Sequence, residues 1–155
     1  MKRTARLISY CLDGLDSLLT AIIIRRPIYL ELATNLAVSS EWIEIIPQKP
    51  LTAEKDRNDI ILSIEGYLHN IHEPFHPIKM PDGTVVNPEI QIVDQDGIVY
   101  PLKFSLRIGS SLGFGGVPSA KWDKSVRNRV YVKVRIRCDE PITLSKVFWA
   151  CSYMK

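Results

Sequence analysis

The sequence predicts an all-β fold, an antiparallel β-sandwich preceded by one amphipathic helix. Two observations predict the sheets: residues 130–138 alternate apolar and polar side chains without a break, and a second alternating run follows at 143–151. Strict alternation is typical of a strand with one buried face. A third observation, the apolar segment that ends at Pro27, predicts the helix.

The length and composition predict one globular domain. The chain has 155 residues, of which 46% are hydrophobic and 24% charged, and a chain of this length buries roughly two thirds of its unfolded surface. The net charge of +3 is too small to indicate a polyanionic partner from composition. We expect residues 1–27 to form the helix and residues 28–155 to form the sandwich.

The helix is expected over residues 5–24, with one narrow polar stripe. The stripe residues are spaced three and four apart: Arg6, Ser9, Asp13, Asp16 and Thr20. A helix that is apolar over the rest of its circumference needs more than one surface to bury against. We expect it to dock on its own domain or to mediate self-association, with a membrane surface as the alternative. The two aspartates argue against an export signal and a spanning helix.

The sandwich strands follow in order from alternating runs separated by turn residues. They are expected at residues 28–32, 41–46, 59–67, 89–93 and 98–108, before the two runs near the carboxyl end. Asp82-Gly83 marks a turn. Asp94-Gln95-Asp96-Gly97 joins two of the runs into a hairpin, in which Gly97 suits a left-handed conformation.

The last two runs are expected to form a closing hairpin around residues 139–142. A tight turn there pairs Val134 with Val147 and Val132 with Trp149, which also sets the core face. Residues 134–149 resemble the closing hairpin of galactose-binding-like jelly-roll domains. The resemblance implies two packed antiparallel sheets with any ligand held by loops at one end, so we expect a jelly-roll-like sandwich.

The three cysteines are expected to be free thiols. In the predicted register Cys138 and Cys151 lie at opposite ends of the hairpin, about 25 Å apart at roughly 3.3 Å per residue, beyond disulfide reach. The third, Cys11, leaves an odd count. Buried free thiols favour a cytoplasmic or peripheral membrane location over a secreted one.

One cluster has the residue types of a metal site. His69, His72 and His76 are the three histidines of the chain, and Glu73 lies between them. Imidazoles and a carboxylate this close in sequence could bind zinc or another divalent metal. Two nearby prolines exclude a regular helix that would present the ligands on one face, so the alternative is a surface loop with solvated histidines.

A glycine-rich segment is expected to form the ligand-binding loop. Residues 109–128 are the longest stretch without a strand pattern, and they contain Phe114, Lys121 and Trp122. Long loops in compact domains are often functional, and the two rings could stack on a sugar or a base. The alternative is that they fold back and cap the core.

A row of cations is expected on the outer face of the strand at 130–138. Arg129, Lys133, Arg135 and Arg137 lie on that face together with Tyr131. Such a row suits a polyanion, whether nucleic-acid phosphate, an anionic lipid or an acidic glycan, although no specific nucleic-acid signal is present. The alternative is a face that is solvated or paired internally.

Together these observations favour a non-catalytic binding or interaction module. The serines and cysteines lie in no recognisable nucleophile motif, and turns explain the carboxylates of the central hairpin. The aromatic loop would hold a carbohydrate or another anionic ligand, the cationic strand would assist, and no cofactor is expected. The alternatives are a metal-dependent enzyme built on the histidine cluster and a membrane-attached accessory subunit that binds another protein.

Overall fold

The computed structural model describes residues 28–68, 77–108, 110–119 and 122–152. In these ranges the chain is nearly all-β and antiparallel, which confirms the predicted class. The helical structure described there is a single 3-10 turn, Lys124–Val126. The predicted leading helix lies outside the described residues.

Eleven strands are described. They are β1 (Ile28–Val38), β2 (Ile43–Ile45), β3 (Leu51–Thr52), β4 (Arg57–Ile64), β5 (Ile78–Lys79), β6 (Val85–Val86), β7 (Pro88–Asp94), β8 (Val99–Ile108), β9 (Ser111–Gly115), β10 (Val130–Cys138) and β11 (Ile142–Ser152). Gly83, in the predicted turn between β5 and β6, has φ +89°, a conformation that favours glycine.

Nine of these strands form one antiparallel sheet that is nearly closed, like a barrel. Their order is β1-β11-β4-β9-β8-β7-β10-β2, and β3 adds to β10. The sheet turns at β8, which pairs with β7 up to Leu102 and with β9 from Lys103 onward. β8 therefore joins two halves, one around β11 and β4 and the other around β7 and β10.

The core is built from the inward side chains of both halves. Fully buried residues include Ile60 and Leu62 of β4, Ile92 of β7, and Val134 and Ile136 of β10. Burying one such side chain stabilises the fold by about 1.5 to 3 kcal/mol. The two halves therefore share one hydrophobic cluster.

The central hairpin is confirmed. β7 and β8 pair in a register that sets Ile92 opposite Tyr100, and Gly97 has φ +81°. The side chain of Asp94 shapes the turn, because its Oδ1 accepts hydrogen bonds from the backbone N–H groups of Asp96 (3.0 Å) and Ile98 (2.9 Å). An aspartate that bonds the backbone two residues ahead is typical of such turns.

The predicted closing hairpin is wrong. β10 pairs with β7 and β2, while β11 lies between β1 and β4. The predicted core face is nevertheless confirmed at Val134, Val147 and Trp149, which are at most 3% exposed. Alternation reports which face is buried, and two strands that face one core from opposite halves show the same pattern as a hairpin.

A β-bulge changes the predicted faces at the start of β10. The register shifts between Tyr131 and Lys133, and Tyr131, predicted to face outward, is fully buried. Val130 and Val132, predicted to be core residues, are half-buried. A bulge inserts one extra residue, so the alternation before it is out of phase with the alternation after it.

Part of the predicted irregular loop is strand β9, which pairs with β4 and β8. Glycines at positions 113 and 115 weaken the alternation that would identify a strand. At Gly115 an added Cβ would lie 2.5 Å from Oδ1 of Asp59, so this position requires glycine for close approach. The prediction of an irregular segment is therefore wrong for residues 111–115.

Two of the three cysteines are described, and both are free and buried, as expected. Cys138 lies in β10 and Cys151 in β11. Burial raises the pKa of Cys151 to about 11, so its thiol stays protonated near neutral pH. Cys11 lies outside the described residues.

Candidate ligand-binding cleft

The structure separates the rings that were expected to share a ligand loop. Phe114 is 4% exposed and packs edge-on against Phe104, with 5.9 Å between ring centroids. Trp122 is 65% exposed, and its indole Nε1 donates a hydrogen bond of 3.1 Å to the carbonyl oxygen of Asp56. Lys121 lies outside the described residues. The two rings therefore do not share one exposed surface.

The cations of β10 are held by residues on both neighbouring strands. Lys133 Nζ lies 2.8 Å from Oε2 of Glu44 on β2. Arg135 donates 3.2 Å from Nη1 to Oε1 of Gln91 on β7, and its Nε lies 3.6 Å from Glu44 Oε1. A hydrogen bond from Lys133 is the main cause that lowers the pKa of Glu44. This part of the face is therefore paired internally.

Arg137 and Arg135 also stack on one aromatic ring. Their Cζ atoms lie 4.6 Å and 5.0 Å from the ring centroid of Trp42. Nη2 of Arg137 donates to both carboxylate oxygens of Glu89, at 2.8 and 3.0 Å. Stacking on tryptophan leaves the edges of a guanidinium group available for hydrogen bonds. The two arginines are therefore oriented by an aromatic face as well as by charge.

The strand register explains why these groups meet. Arg135 lies opposite Glu44 on one side and Gln91 on the other, and Arg137 lies opposite Glu89. Directly opposed residues on one face are close enough for their side chains to interact. Because β10 lies between β2 and β7, its outward cations have polar partners on both sides.

A cleft of about 180 Å³ opens beside this surface, where β8 leaves β7. Trp42, Phe104 and Phe114 supply its aromatic walls, and Glu89 and Gln91 supply polar groups. We call it the Trp42 cleft. Pockets for drug-sized ligands measure roughly 300 to 1,000 Å³, so this one admits a single ring or a group of similar size.

Of the seven residues predicted to bind ligand, three take part in this arrangement. Phe114 lines the cleft, and Arg135 and Arg137 lie over Trp42 beside it. Trp42 itself was not among the residues predicted from the sequence. The alternating run around it contains a usable signal. If Ile43 and Ile45 face inward, the alternation places Trp42 on the outward face.

Arg129, another of the predicted cations, belongs to the scaffold. Its Nε lies 3.3 Å from Oδ2 of Asp94, which is 1% exposed. The hydroxyl of Tyr100 donates 3.0 Å to the same oxygen. Burial acts to raise the pKa of Asp94, but hydrogen bonds from Ile98, Tyr100 and Asp96, with the charge of Arg129, hold it below its usual value. Arg129 therefore stabilises the turn between β7 and β8.

Tyr131, the aromatic residue expected among the cations, also has a structural role. Its ring lies edge-on to Tyr100 at 5.9 Å, and its hydroxyl donates 2.7 Å to the carbonyl oxygen of Pro118. Burial is the main cause that raises its pKa to about 12. It therefore fixes the segment after β9 to the core.

The predicted metal site lies outside the described residues, since His69, His72, Glu73 and His76 fall in 69–76. It stays a prediction, as does the enzyme built on it. Within the part of the chain that the structure describes, no group of three or more histidine, cysteine, aspartate or glutamate side chains could hold a metal ion. Among the same residues, no helix has the length and apolar character needed to cross a membrane.

No family model, curated protein or solved structure matches the chain. The resemblance of residues 134–149 to galactose-binding-like domains stays a prediction. In the structure these residues belong to β10 and β11, which lie in different halves of the sheet.

Proposed function

We propose that the protein is a non-catalytic binding module that holds one saccharide ring in the Trp42 cleft. The observation that supports this most strongly is the convergence of three aromatic rings with the polar groups of Glu89 and Gln91 on one small cleft. A mostly apolar concave site with a few placed polar groups is typical of small-ligand binding.

The aromatic walls suit the apolar side of a sugar. A pyranose presents C–H groups on one face and hydroxyl groups at its rim. Trp42 has the largest ring among the residues that line the cleft, and Phe104 and Phe114 pack edge-on against each other in the same lining. Aromatic side chains bury large apolar areas with defined geometry. A planar or chair-shaped ring therefore fits better than a flexible chain.

The polar groups favour a polyol over a polyanion. Three cations, Lys133, Arg135 and Arg137, lie on this face with the two carboxylates Glu44 and Glu89, which leaves one formal positive charge. An incoming phosphate would have to displace a carboxylate from an arginine. A hydroxyl group both donates and accepts, so a sugar can bond to guanidinium, carboxylate and amide groups without breaking those pairs.

The jelly-roll-like sandwich is part of the same proposal. The half around β11 and β4 would face the half around β7 and β10, with the shared hydrophobic cluster between them. The Trp42 cleft would then lie at the bend where β8 passes from one half to the other. Ligand sites in such folds would sit at an end or a bend and leave the core undisturbed.

The experiment is a calorimetric titration with methyl glycosides of glucose, galactose, mannose, N-acetylglucosamine and glucuronic acid. We expect at least one to bind, and Trp42→Ala to weaken its affinity by about tenfold, which corresponds to roughly 1.4 kcal/mol of lost stacking. Trp42→Phe should retain most of the affinity because it keeps an aromatic face.

Trp122→Ala is the matched control, because it removes an exposed indole from another surface. We expect it to bind with unchanged affinity. Loss of binding in Trp122→Ala with normal binding in Trp42→Ala would return the site to the predicted loop and refute the cleft. No heat of binding from any of the five glycosides at millimolar concentration would refute the proposed function itself.

A further inference from the structure

The outward side of β4 and β11 carries buried apolar residues that do not belong to the core. Ile61 is 5% exposed and Ala150 is 6% exposed. Ile61 follows the core residue Ile60 along β4, and Ala150 follows the core residue Trp149 along β11. Neighbouring residues of a strand face opposite sides of the sheet. Neither Ile61 nor Ala150 is part of the hydrophobic core cluster. These two side chains therefore point away from the core and are nevertheless shielded from solvent.

These residues belong to a continuous patch across the sheet. One row of directly paired residues is Glu31, Phe148, Ile61 and Gly113, and the row beside it is Tyr29, Ala150 and Asp59. We call Tyr29, Ile61, Phe148 and Ala150 the outer patch. Ala150 and Gly113 are small, so a second layer can approach the backbone closely. Such a patch has the character of a face that packs against a helix.

The described strands do not account for a second layer here. The elements in extensive contact with β4 and β11 are each other, β1 and β9, all of which are neighbours in the same sheet. Antiparallel sheets commonly leave one face to water, but such faces alternate with polar residues. Here Ile61 and Ala150 are instead shielded, at 5% and 6% exposure, while Tyr29 at the edge of the patch is 56% exposed and open to a covering element.

We propose that residues 5–24 of the same chain cover the outer patch. Twenty-seven residues precede Ile28, which is the first residue of β1. Tyr29, the next residue, is itself part of the patch. Only Arg25-Arg26-Pro27 separates the apolar segment from β1. A tether this short gives the segment an effective concentration in the millimolar range at a neighbouring surface.

Sequence pattern and charge agree with this occupant. The segment is apolar except for its polar stripe, and Leu15, Leu18 and Ile22 are spaced so that a helix would place them opposite the stripe. Glu31 is the one charged residue of β1 and is exposed, and Arg25 and Arg26 lie a few residues before it. The pairing would complement charge at the point where the segment meets the sheet. The inference is independent of the Trp42 cleft, because none of the residues that line the cleft belongs to the outer patch.

The experiment measures the reaction of a single introduced thiol with a small maleimide in the full chain carrying Cys11→Ser. Ala150→Cys places the thiol in the outer patch, and Lys146→Cys places one on the same strand at an exposed position. We expect Ala150→Cys to react slowly. Adding Leu15→Ser, Leu18→Ser and Ile22→Ser should speed its reaction about tenfold. With the native segment docked in about ten molecules for each undocked one, the thiol would react only in the undocked molecules, about a tenth of the total.

Two controls keep the result specific. Asp13→Asn with Asp16→Asn alters the polar stripe and should leave the rate at Ala150→Cys unchanged, and Lys146→Cys should react equally fast in every background. Cys138 reports the state of the hydrophobic core, because it is fully buried there. If Cys138 also becomes reactive in the triple variant, the test is repeated with Leu18→Ser alone. The rate at Ala150→Cys is then compared with and without that single change.

The contrary results are equally clear. An unchanged rate at Ala150→Cys in the triple variant, with Cys138 still protected, overturns the proposal. Protection that grows with protein concentration assigns the cover to a second copy and overturns docking within one chain. Protection that develops only when phosphatidylcholine vesicles are added assigns it to a bilayer and also overturns it.

Discussion

An arginine lies near each end of β10, and the two arginines have different roles. Just before the strand, Arg129 pairs with Asp94, whose side chain is fully buried. Near the other end, Arg137 pairs with Glu89, whose side chain is 58% exposed. Removing one partner of a buried pair is strongly destabilising, whereas exposed pairs contribute little. The burial of the carboxylate therefore separates a scaffold arginine from one that is available at a surface.

The largest expected effect comes from Asp94→Asn. The amide can still accept from the turn, but it leaves the half-buried guanidinium of Arg129 without a counter-charge. We expect the free energy of unfolding to fall by about 2 to 4 kcal/mol, measured by urea denaturation. Glu89→Gln is the matched change at the exposed pair and should cost less than about 0.5 kcal/mol. Equal losses in the two variants would contradict the comparison.

Acid should remove part of the same stabilisation. The pKa of Asp94 is lowered in the folded chain, so its contribution is complete above the unfolded pKa of about 4 and is lost as the pH falls through the folded value. We expect the stability difference between the parent chain and Asp94→Asn to be constant from about pH 5 to 7 and to shrink below about pH 4. A difference that persisted undiminished at about pH 2 would show that charge is not its cause.

The smallest expected effect is the coupling between Glu89 and Arg137. A double-mutant cycle with Glu89→Gln and Arg137→Gln should give an interaction free energy of about 0.2 to 1 kcal/mol, decreasing with added salt. In the saccharide titration, however, Arg137→Gln should weaken binding measurably, whereas a conservative change at the scaffold end, Tyr131→Phe, should not. A coupling above about 2 kcal/mol would place this pair with the scaffold as well.

Much of the fold was predictable because alternation follows burial. The core positions of β10 from Val134 onward were identified from the pattern alone, as were Val147, Trp149 and Cys151 of β11 and the turn at Gly97. Ile142 and Leu144 of β11 were missed, because the register shifts between Leu144 and Lys146. The partners of these strands were not, because Val134 and Val147 face the same core from opposite halves and alternate as a hairpin would. β9 was missed because Gly113 and Gly115 have no side chain to mark a face.

The candidate site was predictable only in part. Arg135 and Arg137 were identified because an uninterrupted alternation places them outward. Phe114 was selected for a loop, and it lines the Trp42 cleft from a strand. Trp42 and Phe104 were not selected, because the cleft exists only where β8 changes partners, and that change is a property of the sheet order. The bulge at Tyr131 was not predicted either, because it arises from the pairing of β10 with β7 and not from the alternation within β10.

The position of β11 between β1 and β4 has a consequence for biosynthesis. β1 is completed at Val38 and β4 at Ile64, yet the strand that joins them ends at Ser152. While the chain emerges from the ribosome, both strands therefore keep an unpaired edge until β11 has been synthesised. Contacts this distant in sequence slow folding and leave strand edges open to wrong partners. The nascent chain should consequently depend on chaperones until β11 has been made.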